Sequence, residues 1–188
     1  MIRALCLGAG LVLLGIAWGA GNHASFSVHM ARHMVIVAVA APLIVLGVPR
    51  LADLPVSPLA ATLVEFAVVW GWHLPAFHEA ARLSLGWYVA EQASFLFAGG
   101  LIWISVLRPG AELAGAGGLL LTSMHMTLLG ALLILGGRPL YSAICYGGDP
   151  LRDQQLGGMI MLALGTPIYL VAGLTRVGHL LAKGEPAK

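Results

Sequence analysis

Six long apolar runs divide the sequence, and they constrain its fold more than any other feature. They cover roughly residues 4–19, 28–48, 58–76, 87–107, 113–135 and 153–174. A run of about 18 or more apolar residues can cross a bilayer as a helix, because a helix satisfies its own backbone hydrogen bonds in a solvent that offers none. The sequence therefore predicts an all-α fold, a polytopic transmembrane helical bundle of about six spans that forms a single membrane domain over residues 1–188.

The composition excludes the water-soluble classes of protein. Hydrophobic residues make up 59% of the chain and charged residues only 10%, whereas a soluble domain carries about 25% charged residues. The net charge of +2 is spread along the sequence and forms no basic patch, which a nucleic-acid partner would need. We therefore expect membrane lipid as the surroundings, no nucleic acid as a partner and no enzymatic turnover.

The distribution of Lys and Arg predicts the orientation. An even number of spans puts both termini on one face, and that face carries six basic residues against three or four on the other. Because basic residues favour the cytoplasmic side, the termini and the polar tail 175–188 are expected in the cytoplasm. The first run also fits a cleaved signal peptide, in which case the other five helices keep their direction.

Histidine is unusually frequent relative to the carboxylates, at seven against eight. In the predicted topology, six of the seven fall in the outer half of the bilayer or near its midplane. His29 and His33 share one face of the second span, since residues four apart are neighbours on a helix. His125 lies in the middle of the fifth span, where an imidazole is costly unless it has a partner, so a functional role is the default interpretation.

Several polar residues also have a purely structural interpretation. His73 fits a position in an interfacial aromatic belt as well as it fits a functional site. His23 is expected in the first outer loop. We expect residues 78–82, which include His78, Glu79 and Arg82, to form a wet loop. Glu65 lies eight residues before His73 on the same face, where it could relay protons or pack against a helix backbone, and the second is favoured.

The methionines follow the histidines along the chain. Apart from Met1 they form three close pairs, Met30/Met34, Met124/Met126 and Met159/Met161. A single methionine in a membrane helix is usually apolar filler, but thioether and imidazole donors together suit Cu(I) better than a hard cation. At most one member of each i, i+2 pair can serve one site. The candidate copper ligands are His29, Met30, His33, Met34, His73, His125, Met126 and Met159. The groups expected to orient the imidazoles or guide the ion are Glu91, Asp153 and Gln154.

Five segments in a fixed order carry a resemblance to a known family. They are FSVHMARHMVIVAVAAPLIVLGVP at 26–49, WGWHLPAFHEA at 70–80, VAEQASFLFAGGLIW at 89–103, HMTLLGALLILGGRPLYS at 125–142 and DPLRDQQLGGMIM at 149–161. Over about residues 23–170 the chain resembles the CtaG family of integral-membrane cytochrome c oxidase assembly factors. Fourth-span segments of that family often read Glu-His where this chain has Glu91-Gln92.

The resemblance implies a metallochaperone of the bacterial inner membrane that passes copper to the catalytic subunit of a haem-copper oxidase. It also implies a periplasmic copper donor as a further partner, and a homo-oligomer is compatible with it. Small residues would allow lateral helix contacts, and the candidate faces are Gly15/Gly19, Ala98/Gly99/Gly100 and Ala114/Gly118. Two alternatives stay open, a haem-binding membrane cytochrome with bis-His ligation and a metal-free assembly scaffold. A transporter is disfavoured because clear inverted repeats are absent from the sequence.

Overall fold

The computed structural model describes residues 1–19 and 25–184, and all the regular secondary structure in these ranges is helical. The predicted all-α bundle is therefore confirmed. His23 and Lys188 lie outside the described residues. The helices are α1 (Ile2–Gly19), α2 (Phe26–Gly47), α3 (Pro58–Trp72), α4 (Pro75–Leu83), α5 (Leu85–Leu107), α6 (Glu112–Leu135) and α7, which joins Pro150–Ile160, Met161–Gly165 and Thr166–Gly184. Two short 3₁₀ turns, Pro49–Asp53 and Ala143–Cys145, lie in the loops.

The number of crossings depends on how the third apolar run is counted. Within the described residues, five helices are long and apolar enough to cross a membrane, and α3 with α4 supplies a sixth if the pair is one span. The two described ends of the chain lie on one face of the bundle. Arg3 borders a small cavity together with Leu107 at the end of α5, and Arg176 of α7 donates to the carbonyl oxygen of Arg108 at 3.2 Å.

A proline ends α3 and starts α4. Pro75 occupies the first turn of α4, and the residue before a proline is pushed out of the helical region, as the extended Leu74 shows with ψ of 133°. The axis bends by 73° at this break. Because α3 has 15 residues, it is about 22 Å long, shorter than the roughly 30 Å of a hydrocarbon core.

The wet loop expected at residues 78–82 is wrong. These residues belong to α4, and the side chains of His78 and Arg82 are buried. They lie four residues apart and therefore share the face of α4 that packs against the bundle, whereas Leu74 and Phe77 are exposed. The predicted polar tail also differs, since α7 stays helical as far as Gly184.

The first helix packs against the second through glycine contacts. A Cβ atom added to Gly10 would lie 2.9 Å from Ile44, and one added to Gly47 would lie 2.6 Å from the Cβ of Leu7. Two of the small-residue faces expected to meet a partner serve internal contacts instead. Gly99 lies against Val37 of α2, and Gly118 lies against α3.

Two π-helical segments shape the interior. Val35–Ala40 in α2 and Met161–Gly165 in α7 are each followed within two residues by a proline, Pro42 and Pro167. A proline ring clashes with the carbonyl four residues earlier and removes one helical hydrogen bond, and the wider π turn accommodates both effects. Such turns are frequent at functional sites.

We expect Gly158→Ala to destabilise the bundle. The added methyl group would lie 2.7 Å from the carbonyl oxygen of Gly130, so the backbones of α6 and α7 must separate, at a cost of about 1–3 kcal/mol. Thermal unfolding in detergent measures the change. Gly117→Ala is the matched control, because a Cβ atom there meets nothing within 4 Å, and an equal loss in both variants would contradict the close α6–α7 contact.

Cysteine labelling can test the two faces, although not at Cys145. That thiol is buried and burial raises its pKa, so we expect slow labelling. In a cysteine-free background, Ile144→Cys, at a side chain 52% exposed, should react with a membrane-impermeant maleimide added outside intact cells. Asp53→Cys on the opposite face should react only after lysis, and the reverse pattern would contradict the predicted orientation.

Candidate metal centre

Three buried side chains from three helices converge at one end of the bundle. His29 of α2, His78 of α4 and Glu91 of α5 each offer a ligand atom, and these atoms all lie within 4.8 Å of one another. His29 Nε2 lies 3.2 Å from Glu91 Oε1, and the rings of His29 and His78 meet nearly at right angles with centroids 4.8 Å apart. None of the three is more than 1% exposed, so water has little access to them.

His33 extends this group by one turn of α2. Its ring centroid lies 4.1 Å from that of His29, and its Nε2 lies 3.8 Å from the second carboxylate oxygen of Glu91. Phe95 stacks on the His33 ring at 3.9 Å, and the Gln92 amide nitrogen lies 3.4 Å from His33 Nε2. Glu91 is therefore placed between two imidazoles, and it has the position near them that the sequence predicts.

His73 and Met30 form a second pair of donors beside His33. His73 Nδ1 lies 2.6 Å from the carbonyl oxygen of Val69, and since a carbonyl only accepts, this nitrogen donates. In a neutral ring, Nε2 then carries a lone pair, and it lies 3.3 Å from the Met30 sulfur. The centroids of His33 and His73 are 6.3 Å apart, so the pair adjoins the first cluster.

Several of these atoms lack hydrogen-bond partners within the described part of the chain. They are His29 Nδ1 and Nε2, His33 Nδ1, His78 Nε2 and Glu91 Oε1. The 3.2 Å contact of His29 Nε2 with Glu91 Oε1 falls outside hydrogen-bond geometry. An unsatisfied buried polar atom costs about 1–3 kcal/mol, and one ligand atom each from His29, His78 and Glu91 lie close enough together to share a cation. The nitrogen, oxygen and sulfur donors present suit copper.

The loop before α7 covers this cluster. The Tyr141 ring lies 4.5 Å from that of His78 and 5.0 Å from that of Phe26, and its hydroxyl donates to the carbonyl oxygen of His73 at 3.1 Å. Glu79 of α4 accepts a hydrogen bond from the backbone of Ser142 in the same loop. The cluster is therefore closed on the side of this loop by an aromatic side chain.

Asp153 and Gln154 bind backbone and loop groups rather than imidazoles. Asp153 accepts from the backbone N–H groups of Phe26, Ser27 and Gly147 at 2.9–3.1 Å, which caps the start of α2 and holds the loop. Gln154 accepts from the Leu140 backbone and donates to the Leu133 carbonyl. The role expected for these two residues, orienting imidazoles, is not what the structure shows.

In each i, i+2 pair of methionines, one side chain is buried and the other is exposed. Met126 and Met161 are fully buried, whereas Met124 and Met159 are 67% and 48% exposed. Met159, a predicted ligand, therefore does not lie with the histidines, and Met161 is the inward member of its pair. Met34 is buried and packs against the π segment of α7, where a Cβ atom on Gly165 would lie 3.2 Å from its sulfur.

His125 belongs to a separate polar cluster, so its expected place in a single outer site is wrong. Its Nε2 lies 3.7 Å from Glu65 Oε2, and Glu65 also accepts from the hydroxyl groups of Thr122 and Tyr169. Glu65 therefore binds side chains rather than the helix backbone. It precedes His73 by eight residues, which places this cluster about 12 Å deeper along α3.

The sequence interpretation missed His78 and the contact of Gln92. A signal for His78 exists, because Pro75 is a favoured first helical residue and His78 with Arg82 has helical spacing. The structure places the Gln92 amide nitrogen 3.4 Å from His33 Nε2.

Comparison with protein-family models decides which family the chain represents. A family model described as cytochrome c oxidase caa3 assembly factor (Caa3_CtaG) matches residues 1–182. The chain belongs to this family. Searches of curated proteins and of solved structures give no match. The predicted resemblance to CtaG proteins is confirmed, and a caa3 assembly factor acts on cytochrome c oxidase.

We expect the two polar clusters of this assembly factor to be separable by mutation. His125→Gln removes the charge contact with Glu65 and should lower the melting temperature while leaving copper binding unchanged, because the ligand cluster lies about 12 Å away along α3. His29→Gln should lower the copper content. Copper content and thermal unfolding of the purified variants give both readouts, and loss of copper in His125→Gln would contradict the separation.

Proposed function

We propose that this caa3 assembly factor binds copper in the cluster of His29, His33, His73, His78 and Glu91 with Met30, and passes it to the catalytic subunit of a haem-copper oxidase. The observation that carries the proposal is the group of five buried ligand atoms without hydrogen-bond partners among the described residues. A copper ion would satisfy one ligand atom each from His29, His78 and Glu91, which lie within 4.8 Å of one another. The protein acts as a carrier, with the metal as its cargo.

The donor chemistry supports transfer rather than permanent storage. Mixed imidazole, carboxylate and thioether ligands hold copper without a closed cage of thiolates. The described cysteines lie elsewhere, with Cys6 in α1 and Cys145 in the loop. The Tyr141 loop separates the cluster from the outer surface, where a periplasmic copper donor would deliver the ion.

The proposed setting is the bacterial inner membrane, with both termini in the cytoplasm. The excess of Lys and Arg on the face that carries the termini supports this orientation. The metal cluster then lies in the outer half of the bilayer, and the oxidase subunit is met laterally, helix to helix. In this arrangement the copper ion and the oxidase subunit that receives it lie in the same half of the bilayer.

Copper content after anaerobic purification tests the proposal. Wild-type protein loaded with Cu(I) should retain copper through desalting, and the double variant His29→Gln/His73→Gln should lose it. His179→Gln is the matched control, because His179 is exposed in α7. A wild-type protein that binds no copper would overturn the proposal, and a Soret band in the visible spectrum would favour the haem-binding alternative.

A variant that adds a ligand, instead of removing one, also tests this cluster. Gln92→His would place an imidazole where the amide nitrogen now lies 3.4 Å from His33 Nε2, so we expect tighter copper retention against a competing chelator. The matched control is Gln155→His, at a side chain that bonds the Ile134 carbonyl away from the cluster. Equal retention in both variants would contradict a ligand position at residue 92.

A further inference from the structure

The cluster contains two sets of donors that differ in chemistry. One set consists of two imidazoles and a carboxylate, His29, His78 and Glu91, with ligand atoms within 4.8 Å of one another. The other consists of one imidazole and one thioether, His73 and Met30, with nitrogen and sulfur 3.3 Å apart. Imidazole with carboxylate oxygen suits a divalent ion, whereas thioether sulfur selects Cu(I).

In the second set, a hydrogen bond to the helix backbone fixes which nitrogen of the imidazole carries the proton. The Val69 carbonyl holds a proton on His73 Nδ1, so a neutral ring turns the lone pair of Nε2 towards the lone pairs of the Met30 sulfur. Two hydrogen-bond acceptors at this distance form no hydrogen bond with each other. A soft cation between them converts the contact into ligation, as in the pairing of thioether with Cu(I).

His33 lies between the two sets. Its ring centroid is 4.1 Å from that of His29 in the first set and 6.3 Å from that of His73 in the second. Its Nδ1 is buried without a hydrogen bond among the described residues. One imidazole therefore lies beside both sets of donors.

We propose that the cluster holds two adjacent copper positions, a nitrogen–oxygen position at His29, His78 and Glu91 that takes Cu(II), and a nitrogen–sulfur position at His73 and Met30 that takes Cu(I). The proposal rests on the copper-binding function proposed above. It assigns each oxidation state of copper to a different set of residues. Glu91 supplies the negative charge that a divalent ion needs in a buried site. Tyr141 packs on His78, so the nitrogen–oxygen position is the one nearer the covering loop.

Matched variants and two oxidation states test the division. Met30→Leu should weaken Cu(I) binding roughly tenfold or more, on the scale of losses that altered metal surroundings cause, and should leave Cu(II) binding unchanged. Glu91→Gln and His78→Asn should do the opposite. Met159→Leu is the control for Met30→Leu, because Met159 is 48% exposed and lies away from the histidines. Cu(I) affinity is measured anaerobically against a chelator, and Cu(II) by paramagnetic resonance.

X-ray absorption gives a readout that does not depend on affinity. The spectrum of the Cu(I)-loaded wild type should show a copper–sulfur shell that Met30→Leu lacks and Met159→Leu keeps. The Cu(II)-loaded protein should show nitrogen and oxygen neighbours alone. A sulfur shell in both oxidation states, or variants that weaken both ions equally, would overturn the two positions while the proposed function stands. A wild type that binds neither ion would overturn the proposed function itself.

Discussion

The carboxylate of Glu91 is the group on which the outer half of the bundle depends. A buried carboxylate is costly in a bundle surrounded by lipid unless neighbouring groups compensate it. Here α2 supplies the compensation, because His29 and His33 lie one turn apart and place an imidazole near each carboxylate oxygen. The α4 helix adds His78 to the same group. Three helices are thus held in register by one acidic side chain, and the donor atoms left over form the proposed copper site.

Breaks in helical geometry put the remaining ligands within reach. Pro75 ends α3, and the 73° bend that follows lets α4 cross the outer end of the bundle with His78 turned inward. The end of α3 leaves His73 beside Met30. Farther along α3, Glu65 lies near His125 and accepts hydrogen bonds from two hydroxyl groups, which forms a deeper cluster. Among the described residues the bundle therefore carries two polar layers, and of these two the one beside the Tyr141 loop has the donor set of a metal centre.

The part of the site that depends on local spacing was predictable from the sequence. His29 and His33 share a face at i, i+4, and the i, i+2 pairs place one methionine inward and one outward, as the burial of Met126 and Met161 shows. The partners of His125 and Asp153 were not predictable. His125 has the right approximate depth, but the rotation of α6 turns it to Glu65. Asp153 binds N–H groups at the start of α2, a contact that no spacing encodes.

The sequence by itself determined the solvent, the helical class, the order of the spans and the break at Pro75. These follow from apolar length and backbone chemistry, which act within one segment at a time. Only the tertiary structure decided which histidines lie together, that His78 is buried, and that His125 stands apart. The rise and turn of a helix fix positions along its own axis, but the rotation of one helix against another depends on side-chain packing and on close contacts such as that of Gly158 with Gly130.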